Sequence, residues 1–387
     1  MKNSIRTSKF TILIILGFLI LGLIPIFREV HFTKEANIEY FFDLRTSVSH
    51  SPIHINGNAE LDAFVSGNGT DGLSWATAHV IEDYEIDAGG SGAPILIGNT
   101  TRFLIIRNIT ATNAGDVNLP LDAGIAINNC TYVKITNCTV SNNGFNGILL
   151  GRTNNSIVFD NTAFNNPYDG IILVEAHNNT VSENEARDSP ENGILLMDSS
   201  NNTVSDNECL NNDQAGIYLL RSTDIRCLRN TVSHGAQNGI YMDSSNINII
   251  RDNNFSDNGF NGIWSRNCDS NTIEDNVVSQ NNNNGMLLID SDGNTITGNT
   301  ISHNNLRGIR IQSGSDNNEI YQNDFCYNGV EDIIDDGSNN DIHDNGDCTP
   351  GSGPAPPDDT MIIIIAAAVG GAAVVIIIIV LFIRKRK

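Results

Sequence analysis

Gly followed by Ile or Met recurs at 124, 147, 170, 193, 216, 239, 262, 285 and 308, every interval being 23 residues. Nine copies in one register define a repeat protein. Counting Gly as position zero, position one is Ile125, Ile148, Ile171, Ile194, Ile217, Ile240, Ile263, Met286 and Ile309. Position three is Ile127, Leu150, Leu173, Leu196, Leu219, Met242, Ser265, Leu288 and Ile311. Position eleven carries Ile, Val or Cys from Ile135 to Ile296, and position sixteen is small or apolar, as in Val140 and Ala163. Within each unit the apolar period is two, in runs of three to five residues, so the units hold short strands with one face inward.

A 23-residue unit of three short strands cannot bury its own apolar face and must stack on copies of itself. The expected fold is all-β: a single-stranded parallel β-helix, each coil hydrogen-bonded to the next about 4.8 Å away. Roughly twelve coils would make a stack about 55–60 Å long. A leucine-rich repeat has a similar period but needs a helical segment per unit, and these units offer none. The chain's 55 asparagines fit the corners, because Asn favours turns over helices and strands. Position fourteen holds Asn161, Asn184, Asn207, Asn230, Asn253, Asn276 and Asn299, a column whose amides can bond along the stack.

The segments GILLMDSSNNTVSDN (193–207) and GIYMDSSNINIIRDN (239–253) resemble the repeats of the NosD-type right-handed parallel β-helix family. The resemblance spans about residues 53–346. It implies the pectin-lyase fold and an association with carbohydrate binding and sugar hydrolysis. It also points toward copper, against which stand only eight dispersed histidines.

The ends differ from the repeats. Residues 1–28 carry Lys2, Arg6 and Lys9 before an uncharged run from Phe10 to Phe27, the pattern of a signal peptide or a retained N-terminal anchor. Residues 29–78 read as an N-terminal cap, with an amphipathic helix over 58–65, and 79–346 as the β-helix. A Pro/Gly-rich linker over 347–360 leads to 361–383, 23 uncharged residues read as a transmembrane helix. The basic tail 384–387 places that end in the cytoplasm and the bulk of the chain outside the cell membrane.

Net charge is −23 overall. The two ends hold seven of the 22 basic residues and no acids, so 28–360 carries 15 basic and 45 acidic residues, a net of −30. Such acidity argues against nucleic acid and anionic membrane surfaces as partners. Nine Asn-x-Ser/Thr sequons permit glycosylation, none of them beyond Asn254. Cys209 and Cys227 fall at inward positions, while Cys326 and Cys348 are about one repeat apart, a spacing that suits a disulfide in an external domain.

Two outward columns are candidate sites. At position two, Tyr218, Tyr241 and Trp264 follow one another on consecutive coils, with Asp198, Arg221, Asp243 and Arg266 at positions four and five. Aromatics beside carboxylates and Arg suit sugar rings. The same column also carries Leu149, Ile172 and Leu195, and an apolar strip equally signals a face that something covers. At position thirteen, Asp160, Glu183, Asp206, Asp252 and Asp275 line a corner that either binds calcium or is simply solvated.

No nucleophile motif, HExxH, phosphate loop or dinucleotide fingerprint is present. The sequence therefore points to a membrane-anchored surface protein that binds glycans or neighbouring surface proteins. The alternatives are a surface-displayed polysaccharide lyase or hydrolase, and a structural envelope spacer.

Overall fold

A computed structural model describes residues 47–118 and 120–347, together with the strand backbone of 360–370 and 373–383. Within 48–347 the chain is a parallel β-solenoid of about twelve turns. Every third strand pairs in parallel, giving sheets A, B and C of 13, 12 and 12 strands. Repeat register is kept from coil to coil. Ile148 pairs with Ile171, Ile171 with Ile194, and Ile194 with Ile217. Sheet B strands start just after the repeat glycine, except Ala215–Leu220 and Asn238–Asp243, which include it; sheet C holds position eleven, and sheet A holds position sixteen.

Strands begin earlier than residue 79. Val48–His50 joins sheet A against Tyr84–Asp87, and Ile53–Asn56 joins sheet B against Ile95–Gly98. The helix Asn58–Phe64 follows and buries Leu61 into the end of the core. The core is one cluster of inward apolar side chains from Ile53 to Phe325, mostly aliphatic, each fully buried Ile, Leu or Val contributing about 1.5–3 kcal/mol.

The corners explain the composition. Four sites per coil are left-handed, as at Asp198, Asn201, Asp206 and Asn211 in one coil, with φ of 52°, 55°, 58° and 54°. Asn and Asp tolerate that conformation better than other side chains. The repeat glycine has a different reason. A Cβ at Gly193 would stand 2.6 Å from the carbonyl oxygen of Gly216 and 2.8 Å from Asn212 Nδ2, so coils could not close onto each other there.

Position fourteen is an amide ladder. The backbone N–H and Nδ2 of Asn207 both donate to Oδ1 of Asn230, at 3.0 and 2.9 Å, and Nδ2 also donates to the Val181 carbonyl. Three further ladders run beside it. One passes through Asn179 and Asn202, one through Asn258, Asn281 and Asn304, and one through Asn238, Asn261 and Asn284. They satisfy backbone groups that a turn would otherwise bury unpaired.

Residues 361–383 differ from the expected helix. Thr360–Gly370 pairs antiparallel with Ala373–Ile383, and among the described residues no helix is long and apolar enough to cross a membrane. Ile and Val runs flanking Gly370-Gly371 have strong hairpin character in water, whereas a lipid interior requires every backbone group to be satisfied internally. The proposed leader at 1–28, the tail at 384–387 and most of the linker lie outside the described residues. Cys326 is disulfide-bonded, and Cys348 lies outside them too.

Candidate functional site

The outward side of sheet B changes character along the solenoid. Ala126, Leu149, Ile172 and Leu195 are all buried, and with Ala123 they form a second apolar cluster separate from the core. Leu121 packs against this cluster from the segment between strands Thr110–Thr112 and Ile125–Asn128. That connection is longer than the six-residue ones of regular coils, such as 142–147. The early half of the strip is thus a covered structural face.

The later half is open. Tyr218, Tyr241 and Trp264 are half-buried and pair in register across consecutive coils. Their rings stack on one another, with centroids 4.6 and 4.5 Å apart and planes within 12° and 20°. Both faces of Tyr241 are therefore taken by its neighbours. The ladder presents ring edges and phenol oxygens, its end rings being followed in register by Leu195 and Leu287. Burial pushes the Tyr218 phenol up to about 12, so it stays a neutral hydrogen-bond donor. Trp264 Nε1 is buried with no hydrogen-bond partner among the described residues.

A polar row lies beside the rings. Arg221 donates from Nε and Nη2 to the two oxygens of Asp198, each at 2.7 Å, and that guanidinium holds the carboxyl below its usual range. Asp243 accepts from Tyr241 Oη at 3.2 Å and from Ser244 Oγ at 2.9 Å. Arg266 sits close enough to Tyr241 and Asp243 for both to raise its own pKa. A carboxylate clamped by Arg is a poor proton donor at neutral pH. Asp198 is thus unsuited to act as the general acid of glycoside hydrolysis.

The acidic column at position thirteen is built differently. Asp160, Glu183, Asp206, Asp252 and Asp275 all occupy left-handed corners, with φ between 55° and 58°. Arg229 sits in the same column and binds Asp206 through two bonds of 2.8 and 2.7 Å. Corner geometry and an intervening Arg account for these residues. Among the described residues no three His, Cys, Asp or Glu gather into a group that could hold a metal.

Copper is tested by the same chemistry. Burial pushes the thiols of Cys130, Cys138 and Cys227 up to about 11, 12 and 12, and a thiol must be deprotonated to ligate. His50, His54 and His79 stand on three different sheets of the first coil, and His177, His234 and His303 on separate later coils. These residues do not fit a copper centre.

The fold and its repeat define a class, the right-handed parallel β-helix. Residues 123–267 match the family described as the right handed beta helix region. Residues 210–346 match the family described as periplasmic copper-binding protein (NosD). The two matches together run over 123–346, inside the solenoid, and support a NosD-type β-helix repeat family.

Solved structures share the fold at low identity. The A-module of Azotobacter vinelandii mannuronan C-5 epimerase AlgE6 is 16% identical, with TM-score 0.60 over 78% of this chain and 91% of that one. The periplasmic alginate epimerase AlgG is 14% identical, with TM-score 0.55 over 78% and 85%. PfbA, a surface adhesin of Streptococcus pneumoniae, is 11% identical, with TM-score 0.54 over 82% and 93%. No curated protein matches the sequence. At these identities the likeness concerns architecture and leaves chemistry to the residues themselves.

Proposed function

We propose that this chain is a membrane-anchored surface protein that binds polysaccharide along the open half of sheet B, without cleaving it. One observation carries the reading. The outward column changes from buried aliphatics to the half-buried rings of Tyr218, Tyr241 and Trp264, with Asp and Arg beside them. A rigid aromatic wall beside hydrogen-bonding groups is a surface that sugar hydroxyls and C–H edges can both use. Structures of similar fold that include a mannuronan C-5 epimerase, an alginate epimerase and a surface adhesin support a role at a polymer or cell surface. Anchoring follows from the 23 uncharged residues 361–383 and the basic tail, with residues 1–28 as leader or second anchor and the solenoid outside the cell.

Binding of the full-length chain to a glycan array tests the idea. The double variant Tyr241→Ala/Trp264→Ala should lose binding to whichever glycans the native chain retains. Undiminished binding by the double variant would remove sheet B from the function. A chain that binds no glycan at all would point to a structural spacer, and product release from the polysaccharide would point to an enzyme.

A further inference from the structure

The second tryptophan lies far along the sequence from the first, in a group the sheet B ladder does not include. Trp75 belongs to the short turn before the strand His79–Glu82. Its ring meets Phe103 at 79° with centroids 5.0 Å apart, and Phe103 stacks on Tyr132 at 4.4 Å and 9°. Such an edge-to-face contact covers less of a π face than stacking does. Trp75 is 40% exposed, Tyr132 36% and the neighbouring Leu73 64%. All three are among the exposed large apolar side chains of the described residues, and Trp75 and Tyr132 meet through Phe103 in the first coils.

Tyr132 is an outlier there. Its φ is 61°, at the corner where later coils carry Asn155, Asn178, Asn201, Asp224, Ser270 and Gly293 and one other bulky residue, Ile247, which has no ring neighbour of its own among the described residues. A bulky side chain is disfavoured in this conformation, and such outliers concentrate at functional sites. The same turn presents exposed hydrogen-bonding groups. Asp71 accepts from the Leu73 N–H and from Thr77 Oγ1, and Thr77 Oγ1 also meets Ser74 Oγ. A ring platform with a hydroxyl and carboxylate border fits a pyranose, which has an apolar C–H face and a polar rim. The net of −30 over residues 28–360 works against a polyanion and against an anionic lipid surface.

We propose that Trp75, Phe103 and Tyr132 form a second, independent carbohydrate-binding site that takes uncharged sugar rings. It does not rest on the sheet B face, and the two can be read separately. The chain has two tryptophans, one in each group. In a full-length Trp264→Phe variant, all indole emission comes from Trp75. Trp75→Phe isolates Trp264 in the same way.

The experiment titrates both variants with neutral oligosaccharides of glucose, mannose, galactose and N-acetylglucosamine, with oligouronates and neutral-lipid vesicles in parallel. The Trp264→Phe protein should show a saturable change in emission with at least one neutral sugar, and none with oligouronates or vesicles. Adding Tyr132→Asn installs the residue that Asn155, Asn178 and Asn201 supply in other coils. That change should weaken sugar binding by about tenfold, as expected for one lost ring contact, while Tm holds or rises. No saturable response to any neutral sugar would overturn the proposal. So would a response to vesicles alone, or unchanged binding with a lowered Tm in Tyr132→Asn. A Trp264 response without a Trp75 response would leave the sheet B site standing and this one refuted.

Discussion

Asp169 breaks a column of amides. It sits between Asn146 and Asn192 in the ladder just before the repeat glycine, and it is 3% exposed. Its backbone N–H donates to Asn146 Oδ1, and its Oδ1 accepts from Asn192 N and Nδ2 at 3.1 and 2.8 Å. Burial pushes its carboxyl up to about 7 against those bonds, and the Glu191 charge adds to the rise. A carboxyl raised on folding favours the neutral form in the native state. Its penalty is absent below the unfolded value of about 4, grows between about pH 4 and 7, and stays constant above. Asp169→Asn restores an uninterrupted amide at the same volume. It should leave stability unchanged near pH 4 and raise it at pH 8, by up to about 4 kcal/mol. Denaturant unfolding of both proteins at the two pH values checks this. An equal difference at both would locate the effect in something other than titration.

At the scale of the element, the ladders do what hydrogen-bonded loops do elsewhere, but with side chains. Asn253 shows the coupling. Its Oδ1 accepts from the N–H and Nδ2 of Asn230, and its Nδ2 donates to the Cys227 carbonyl and to Asn276 Oδ1. Asn253→Ala strands several buried groups at once, each costing about 1–3 kcal/mol. The variant should lose about 3–5 kcal/mol, whereas Asn201→Ala on an exposed left-handed corner should lose only about 1 kcal/mol, the cost of Ala in that conformation. Chemical denaturation of the pair measures the contrast. Strand phase, inward positions and the fourteenth-position column were all legible, because period two and fixed spacing express them directly. The other ladders were harder to see, since Ser156, Ala215 and Asp169 interrupt them and a column with gaps reads as composition. The aromatic column was legible as a column, but ring orientation was not. Whether Tyr241 offers its face or its edge depends on how tightly coils stack, and no spacing in the sequence encodes that.

For the whole molecule, the repeat and the C-terminal run answer to different solvents. A solenoid satisfies itself coil by coil, so the 23-residue register defines it in water. Residues 361–383 have no such partner. Their length fits a bilayer span, while their Ile- and Val-rich halves around Gly370-Gly371 pair as strands here. A two-stranded hairpin leaves outer N–H and C=O groups unpaired, a cost that water absorbs and hydrocarbon does not. Under the proposed anchoring, the environment would select between the two forms, with a helix favoured in lipid. If that selection operates, the full chain should remain with the membrane fraction through high-salt and alkaline washes. Truncation after residue 353 should release a folded solenoid, because the core from Ile53 to Phe325 lies wholly before that point. Release of the full chain by salt alone would mean that charge holds it at the surface. On an acidic solenoid, only the four basic residues at 384–387 and those before residue 29 could then supply the attraction.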